Sequence, residues 1–323
     1  MKLLDTQLNN YAMISIQDII TFLKPIEVIG SKESFVSNAI QLDVSNERRD
    51  VVMWASSKNK LKMLEVKVGL ILCSEINRSE ANPNCTYILC DNPRLNFQKV
   101  LARFFMPKRQ VGISSTAIVD ESSIIGSNIF IGHNVVIEEN CHLGDNTIIN
   151  HNTVVKKDTI IGNDVVIGSN CVIGGVGFGY EKDEFGVYVF MPHIGNVIIH
   201  DNVDIGNNTC IDRAVMGSTI LGRNVKVDNL VHIAHGVVIG ENSLIIANAM
   251  IAGSVTIGEN CWIAPSASIL NKKKIGNNVT VGMSSLVLKD VGDNLIVTGN
   301  PAEDLKEVIR KKKLLEDKVY KDN

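Results

Sequence analysis

The chain contains few aromatic residues and no long apolar segment. Only 5% of its 323 residues are aromatic although 45% are hydrophobic, so its core must be built mainly from aliphatic side chains. No stretch approaches the roughly 18 consecutive apolar residues of a membrane-spanning helix, and the first residues lack a basic region followed by an apolar run. We therefore expect neither a membrane span nor a secretory signal, and we predict a cytoplasmic location.

Charge and metal-binding patterns are also weak. The formal net charge is -3 at pH 7, which gives no general reason to expect nucleic acid binding. The seven cysteines include no Cys-x-x-Cys pair, and the seven histidines lack the spacing of a zinc site. We expect no metal site and no bound cofactor.

What the sequence does have is a period of six. An aliphatic residue occupies every sixth position in two long runs, of which the first extends from Ile113 to Ile173 and the second from Leu221 to Val287. This period fits neither an amphipathic helix nor an ordinary half-buried strand. It is typical of the hexapeptide repeat of a left-handed parallel β-helix, in which three hexads form one triangular coil.

The repeat also predicts how the solenoid is packed. Equivalent residues in successive coils should lie about 4.8 Å apart, the spacing of neighbouring strands, and the chain is long enough for about eight or nine coils. Glycine often follows the aliphatic residue and is expected to provide the tight or positive-φ geometry of a corner. Cys141, Cys171 and Cys261 occupy a small inward position, where a thiol fills core space.

The period divides the chain into three predicted regions. Residues 1–109 lack it and combine short apolar runs with helical patterns, which indicates a small α/β domain. Residues 110–298 form the β-helix, and residues 299–323 form a charged helix that caps its open end. The basic residues Arg310 to Lys313 in that helix are also a candidate surface for an acidic partner.

A projecting loop at 174–193 interrupts the repeat. It contains five aromatic residues, for which the core of a β-helix has no use. We predict that Phe178 and Tyr180 contact a ligand, or that the loop contacts a neighbouring subunit. The simpler alternative is a loop that folds on itself.

The best candidate for chemistry is the segment from Asp228 to Gly236. His235 lies near a predicted corner, and His232 just before it is a candidate substrate contact. We expect Asp228, about one turn back, to orient one ring nitrogen of His235 so that the other becomes a base. Gly253 follows His235 by three hexads and so by one coil, where its N–H could stabilise an oxyanion.

These candidates lie in or near stretches that resemble a known family. The stretches Asn196–Ala214 (NVIIHDNVDIGNNTCIDRA) and Asp228–Gly240 (DNLVHIAHGVVIG) closely resemble the UDP-3-O-(3-hydroxyacyl)glucosamine N-acyltransferases of lipid A biosynthesis. The segment Gly177–Tyr180 and the return Pro192–Gly195 are also similar to that family.

The resemblance implies a homotrimer with active sites in the grooves between solenoids, and an acyl carrier protein thioester as the acyl donor. It assigns the catalytic base to His235, the acidic partner to Asp228, a substrate contact to Asn229 and the oxyanion donor to Gly253. The N-terminal domain is implied to hold the uridine of a nucleotide-linked amino sugar, with Trp54 as a candidate for stacking on the base.

Two other functions stay open at this point. The segment Gly299–Ala302 and the short terminal helix resemble the tails of coenzyme A-dependent sugar acetyltransferases. This favours a coenzyme A-dependent N-acyltransferase that acts on a UDP- or dTDP-linked amino-deoxy sugar for surface polysaccharide. The third function is a β-helix without catalytic activity that scaffolds an assembly.

Overall fold

A computed structural model describes residues 13–107 and 109–319 of the chain. The chain forms two compact units, Met1–Arg109 and Gln110–Asn323. We call them the N-terminal unit and the solenoid unit, and each is described by itself. Among the described residues, no helix is both long enough and apolar enough to cross a membrane.

The N-terminal unit is an α/β structure built on a five-stranded sheet. Its strands in spatial order are Glu27–Ile29, Cys85–Leu89, Gly69–Cys73, Val51–Trp54 and Asn38–Ala39. The first two strands pair antiparallel and the others pair parallel. A two-stranded antiparallel ribbon joins Ile14–Ser15 to Phe35–Val36.

Short helices complete the N-terminal unit. They are α1 (Ile16–Leu23), a 3-10 turn (Ser57–Asn59), α2 (Lys60–Leu64) and α3 (Pro93–Val100), which continues as a π-helical turn (Leu101–Phe105). Side chains cap two of these helices, α1 and α3. The Ser15 hydroxyl accepts from the Gln17 N–H at 3.1 Å, and the Asn92 Oδ1 accepts from the Leu95 N–H at 3.0 Å.

The solenoid unit is a left-handed parallel β-helix with three faces. The first face contains Gly112–Ile113, Phe130–Ile131, Ile148–Ile149, Val166–Ile167, Asp204–Ile205, Lys226–Val227, Leu244–Ile245, Trp262–Ile263, Thr280–Val281, Ile296–Thr298 and the antiparallel Glu303–Asp304. The second face contains Ile118–Val119, Val136–Ile137, Val154–Val155, Val172–Gly175, Cys210–Asp212, His232–Ile233, Met250–Ile251, Ser268–Ile269 and Leu286–Val287. The third face contains Ile124–Ile125, His142–Leu143, Ile160–Ile161, Asn196–Ile199, Ser218–Leu221, Val238–Ile239, Thr256–Ile257 and Lys274–Ile275.

The period of six puts one aliphatic side chain of each hexad into the core. In regular coils the strand partners are separated by three hexads, as in the pair Ile131 and Ile149. These inward aliphatic residues and the three inward cysteines form one continuous buried cluster, which confirms the predicted packing. The first coil differs, because no coil precedes it in the solenoid: Ile113 is exposed, and Val119 and Ile125 are only partly buried.

The corners do not depend on glycine in the predicted way. The residues with positive φ are mostly asparagines, such as Asn128 and Asn134, which tolerate the left-handed region. Where glycine follows an inward aliphatic residue, it is needed for a different reason. A Cβ on Gly126 would stand 2.6 Å from the backbone of Gly144 in the next coil, so close approach between coils excludes a side chain there.

The loop and the C-terminal segment leave the regular solenoid. Tyr180–Lys182 and Tyr188–Phe190 form an antiparallel hairpin. At the other end, α4 (Leu305–Val319) follows the last strand, and Ala302 just before it packs against the core cluster. Within α4, Arg310 lies 2.8 Å from Glu307, and Lys311 of α4 pairs with Glu303 of the preceding strand. A role for this helix as a cap or as a docking surface stays a prediction, and Tyr320–Asn323 lie outside the described residues.

Candidate active site

His235 lies at the corner between the second and third faces, directly after the strand that carries the fully buried Ile233. Its ring is half-buried, and its Nδ1 is buried without a hydrogen-bond partner in the described part of the chain. Burial, followed by the electrostatic influence of the nearby His193 and His232, lowers the pKa of His235 from its ordinary value of 6.5. The lowered pKa keeps the imidazole neutral near pH 7, the state in which it can accept a proton.

Gly253 occupies the same corner one coil further along. The Ser254 N–H donates to the His235 carbonyl oxygen at 2.9 Å. A Cβ on Gly253 would stand 2.6 Å from His235 Nε2, so the imidazole lies directly against the Gly253 backbone. The Gly253 N–H donates no hydrogen bond to any residue that the structure describes. A base and a free amide donor therefore lie side by side, as an acyl transfer would require.

Asp228 does not pair with His235 within one chain, and the expected pairing of the two stays a prediction. Asp228 follows Lys226–Val227 at the corner between the first and second faces, because the stretch from it to His235 covers little more than one face and not a full coil. Its carboxylate accepts from the N–H of Asn229 at 2.7 Å and from the N–H of Ala247 at 3.2 Å. Within one chain the carboxylate thus holds neighbouring backbone in place.

Asn229 belongs to the same corner as Asp228. Its Oδ1 accepts from the Asn207 N–H at 2.7 Å, and its Nδ2 donates to Asp228 at 3.0 Å. Neither Asn229 nor Asp228 lines the clefts at His235. Within one chain, Asn229 therefore links successive coils, and its assignment as a substrate contact stays a prediction.

A different carboxylate, Asp212, lies among the histidines. It ends the strand Cys210–Asp212, which pairs with His232–Ile233, and its Oδ2 is 3.6 Å from His232 Nε2. Burial raises the pKa of Asp212, while the charges of His232 and His193 oppose that shift. The period of six could not reveal this residue, since the paired positions Cys210 and His232 are further apart in sequence than the three hexads of a regular coil.

His193, at the return of the projecting loop, completes the cluster. Its ring centroid is 5.2 Å from that of His235 with an interplanar angle of 84°, and its ring also stacks on Phe190 at 5.8 Å. The sequence motif around His193 was visible, but nothing in it indicated contact with His235. The contact depends on how the hairpin folds back onto the solenoid.

Two adjoining clefts meet at His235 and Phe178. The smaller has a volume of about 310 Å³ and is lined in part by Asp212, His232, Met250, Gly253 and Lys272. The larger has a volume of about 690 Å³ and is lined in part by Tyr180, Tyr188, Met191 and Val215. The first combines polar groups with a cation, and the second is walled mainly by apolar side chains, so the pair suits an amphipathic substrate.

The aromatic side chains of the loop contact one another and are also exposed. The Phe178 and Tyr180 rings lie 5.0 Å apart, and Tyr180 and Phe190 lie 5.6 Å apart. Phe178 is nevertheless 86% exposed. The loop thus folds on itself, as the simpler alternative held, and still leaves an apolar surface beside His235 for a ligand or a neighbouring subunit.

Trp54 ends the strand Val51–Trp54 in the N-terminal unit. It is partly buried, because it packs against the core cluster that contains Val52 and Leu72. Its proposed stacking on a uracil base stays a prediction. In the described residues, no group of three or more histidine, cysteine, aspartate or glutamate side chains is arranged to hold a metal ion.

Comparison with known proteins finds transferase hexapeptide repeats in parts of the solenoid. The sequence model of the bacterial transferase hexapeptide family, described as six repeats, matches residues 122–157, 140–175 and 218–253. The solenoid is similar to that family over these repeats. These matches include His232, His235 and Gly253 but not the N-terminal unit.

Curated relatives match over a short stretch. A UDP-3-O-acylglucosamine N-acyltransferase from Desulfotalea psychrophila is 51% identical over 71 residues, which is 22% of this chain and 21% of the relative. One from Cytophaga hutchinsonii is 55% identical over 73 residues, or 23% of this chain and 21% of the relative. The match thus spans about a fifth of the length of each relative, and the resemblance noted in the sequence is confirmed for that part.

Solved structures share the solenoid. A UDP-N-acetylglucosamine acyltransferase from Francisella novicida has a TM-score of 0.55 and 25% identity, and covers 62% of this chain and 73% of its own. One from Bacteroides fragilis has a TM-score of 0.54 and 26% identity, and covers 60% and 73%. The left-handed β-helix fold is therefore shared with acyltransferases that are named for a nucleotide sugar.

Proposed function

We propose that the protein is an N-acyltransferase that moves an acyl group from a thioester to the 2-amino group of UDP-3-O-acylglucosamine, a step of lipid A biosynthesis. The observation that carries this proposal is the contact of a neutral imidazole, His235, with the free backbone amide of Gly253 beside an apolar cleft. The names of the curated relatives supply the substrate.

The geometry supports a direct transfer of the acyl group. The neutral amine attacks the thioester carbonyl carbon and forms the new C–N bond, while the carbonyl oxygen takes up negative charge. The Gly253 N–H donates to this oxyanion, and His235 Nε2 accepts the proton that leaves the nitrogen. When the intermediate collapses, the C–S bond breaks and the thiolate takes the proton from His235. Atoms and charges balance with these groups alone.

The two clefts suggest where the substrates lie. We place the acyl chain against the aromatic wall of the larger cleft and the polar acceptor in the smaller one. Lys272 lines the smaller cleft, and its ammonium is suited to a phosphate group of either substrate. Uridine binding by the N-terminal unit, with Trp54 as its stacking partner, is part of the same proposal.

Assembly and location follow from the same proposal. We propose a homotrimer in the cytoplasm, with acyl carrier protein as the donor partner. The hexapeptide match and the shared solenoid support a trimer. Size-exclusion chromatography with light scattering should then give a mass of three chains, and a stable monomer would contradict the trimer.

One assay tests the reaction and separates the alternatives. The purified full chain is incubated with UDP-3-O-acylglucosamine or with a UDP- or dTDP-linked amino-deoxy sugar. Each acceptor is paired with acyl carrier protein or coenzyme A thioesters of several chain lengths, and the products are identified by mass spectrometry. We expect a new amide, formed faster from the carrier protein. Activity with coenzyme A alone on an amino-deoxy sugar would favour the coenzyme A-dependent enzyme, and no amide with any pair would favour the scaffold.

A further inference from the structure

His193 is held in one orientation by the projecting loop. It is only 8% exposed, and its ring stacks on Phe190. Its Nδ1 lies 2.7 Å from the carbonyl oxygen of Met191, and since a carbonyl only accepts, this nitrogen must carry the proton. In the neutral ring the lone pair is therefore on Nε2.

That lone pair lies close to a second unpaired nitrogen, on His235. His193 Nε2 and His235 Nδ1 are both buried and have no hydrogen-bond partner in the described part of the chain. A Cβ on Gly177 would stand 2.8 Å from the first nitrogen and 2.9 Å from the second, so the two flank the same narrow space. An unpaired buried polar nitrogen is costly, and a bond between these two would satisfy both at once.

We propose that His193 is a positioning residue, which accepts the Nδ1 proton of His235 and thereby fixes the tautomer whose free Nε2 lone pair lies against Gly253. The two rings are already neighbours, with centroids 5.2 Å apart and planes nearly perpendicular. The inference deepens the proposed function and rests on it, since the tautomer matters for proton acceptance from the amine.

The surrounding charges are consistent with two neutral rings. Asp212 and His232 form a pair on the neighbouring strands, and Lys272 lines the same cleft. Burial is the main cause that lowers the pKa of His235, which favours its neutral form. A proton on His193 Nε2 would remove the acceptor that the bond needs.

The test is the tautomer of His235 in the intact protein. The chain is labelled with ¹⁵N histidine, and the ring-nitrogen signals of His235 are assigned by their loss in His235→Ala. We expect Nδ1–H in the wild type, Nε2–H in His193→Ala, and Nδ1–H again in His193→Gln, whose amide oxygen can accept. His142→Ala, which removes an exposed ring on the third face, should change nothing. An unchanged tautomer in His193→Ala would overturn the proposal.

A second variant tests the same hydrogen bond while both histidine side chains are kept. In Gly177→Ala the new methyl group enters the space between the two nitrogens, and the backbone φ of Gly177 is not in the left-handed region. We expect the same change to Nε2–H without loss of the thermal transition. Retention of Nδ1–H in a folded Gly177→Ala protein would count against the bond.

Kinetics give an independent readout. We expect His193→Ala to lower kcat by roughly 10- to 100-fold with KM little changed, the range seen when a partner that orients a functional histidine is removed, and His193→Gln to restore most of it. A rise in KM with kcat unchanged would contradict a positioning role. If the wild type forms no amide but its tautomer still depends on His193, the proposed function fails while the His193 inference stands.

Discussion

The Gly253→Ala substitution tests the central contact of the site. The added Cβ would stand 2.6 Å from His235 Nε2 and 2.8 Å from its Cε1, whereas carbon atoms at an optimal distance lie at about 3.5 to 4.0 Å. The imidazole must therefore retreat by about 1 Å. Because a misplacement of about 1 Å can cost roughly 100-fold in rate, we expect kcat to fall by about that factor.

The same substitution should leave the fold intact. The backbone φ of Gly253 is not in the left-handed region, so alanine adds no backbone strain, and the atoms it meets belong to a side chain that can rotate. The matched control is Gly292→Ala, since a Cβ there meets only Leu295 Cδ1 at 3.8 Å. The rate of amide formation is measured at saturating substrate, together with the thermal transition. A folded Gly253→Ala protein with the rate of the Gly292→Ala protein would refute the reasoning.

The remaining predictions concern pH, thiols and the core. Since the pKa of His235 is lowered, the neutral base persists below pH 6.5, and the fall of kcat/KM at acid pH should have its midpoint below that value. A midpoint above pH 6.5 would contradict a pKa lowered by burial. The same shift means that the unfolded state binds more protons, so we expect stability to decrease as the pH falls through 6.5. Of the seven cysteines only Cys210 is exposed, so a thiol reagent should label one cysteine in the folded protein and seven in denaturant. Ile167→Ala should lower the free energy of unfolding by about 2 to 5 kcal/mol because Ile167 is fully buried, whereas Ile124→Ala at an exposed position should change it by less than about 0.5 kcal/mol in urea titrations.

The fold was readable from the sequence because one physical rule repeats along the chain. Each hexad forms one short strand and buries one aliphatic side chain, so a period of six indicates a three-sided coil without knowledge of distant contacts. Stacking across one regular coil followed from the same count, and the structure places Gly253 against His235. The segment Asp228–Gly240, which contains His235, also carried part of the family resemblance.

Counting hexads along the chain no longer predicts which residues are neighbours where the repeat is interrupted, or where two residues lie on different faces of one coil. Asp228 was expected about one turn before His235, whereas its distance along the chain amounts to about one face. The loop separates the strand partners Ile160 and Ile198 by the length of the whole insertion in addition to a coil, and the next irregularity lengthens the spacing of Cys210 and His232. In this region the separation of two residues in sequence no longer gives the number of coils between them. The position of Asp212 beside His232 could therefore not be predicted from the sequence.

His193 illustrates a second limit. Its contact with His235 depends on the hairpin, whose position is set by aromatic packing and by the space left at Gly177. No local pattern reports such a contact. Buried ring nitrogens without a hydrogen-bond partner can be identified only from the folded structure.

The most direct test of the account is the rate of amide formation by His235→Ala relative to the wild type. Both proteins are assayed with the same acyl thioester and UDP-3-O-acylglucosamine, after light scattering has shown that they have the same mass. Removal of the base should lower kcat by about 10²- to 10⁴-fold, while the exposed-histidine control His142→Ala keeps the wild-type rate. A His235→Ala protein that forms the amide within about twofold of the wild-type rate, far short of the loss expected for a missing base, would contradict the account.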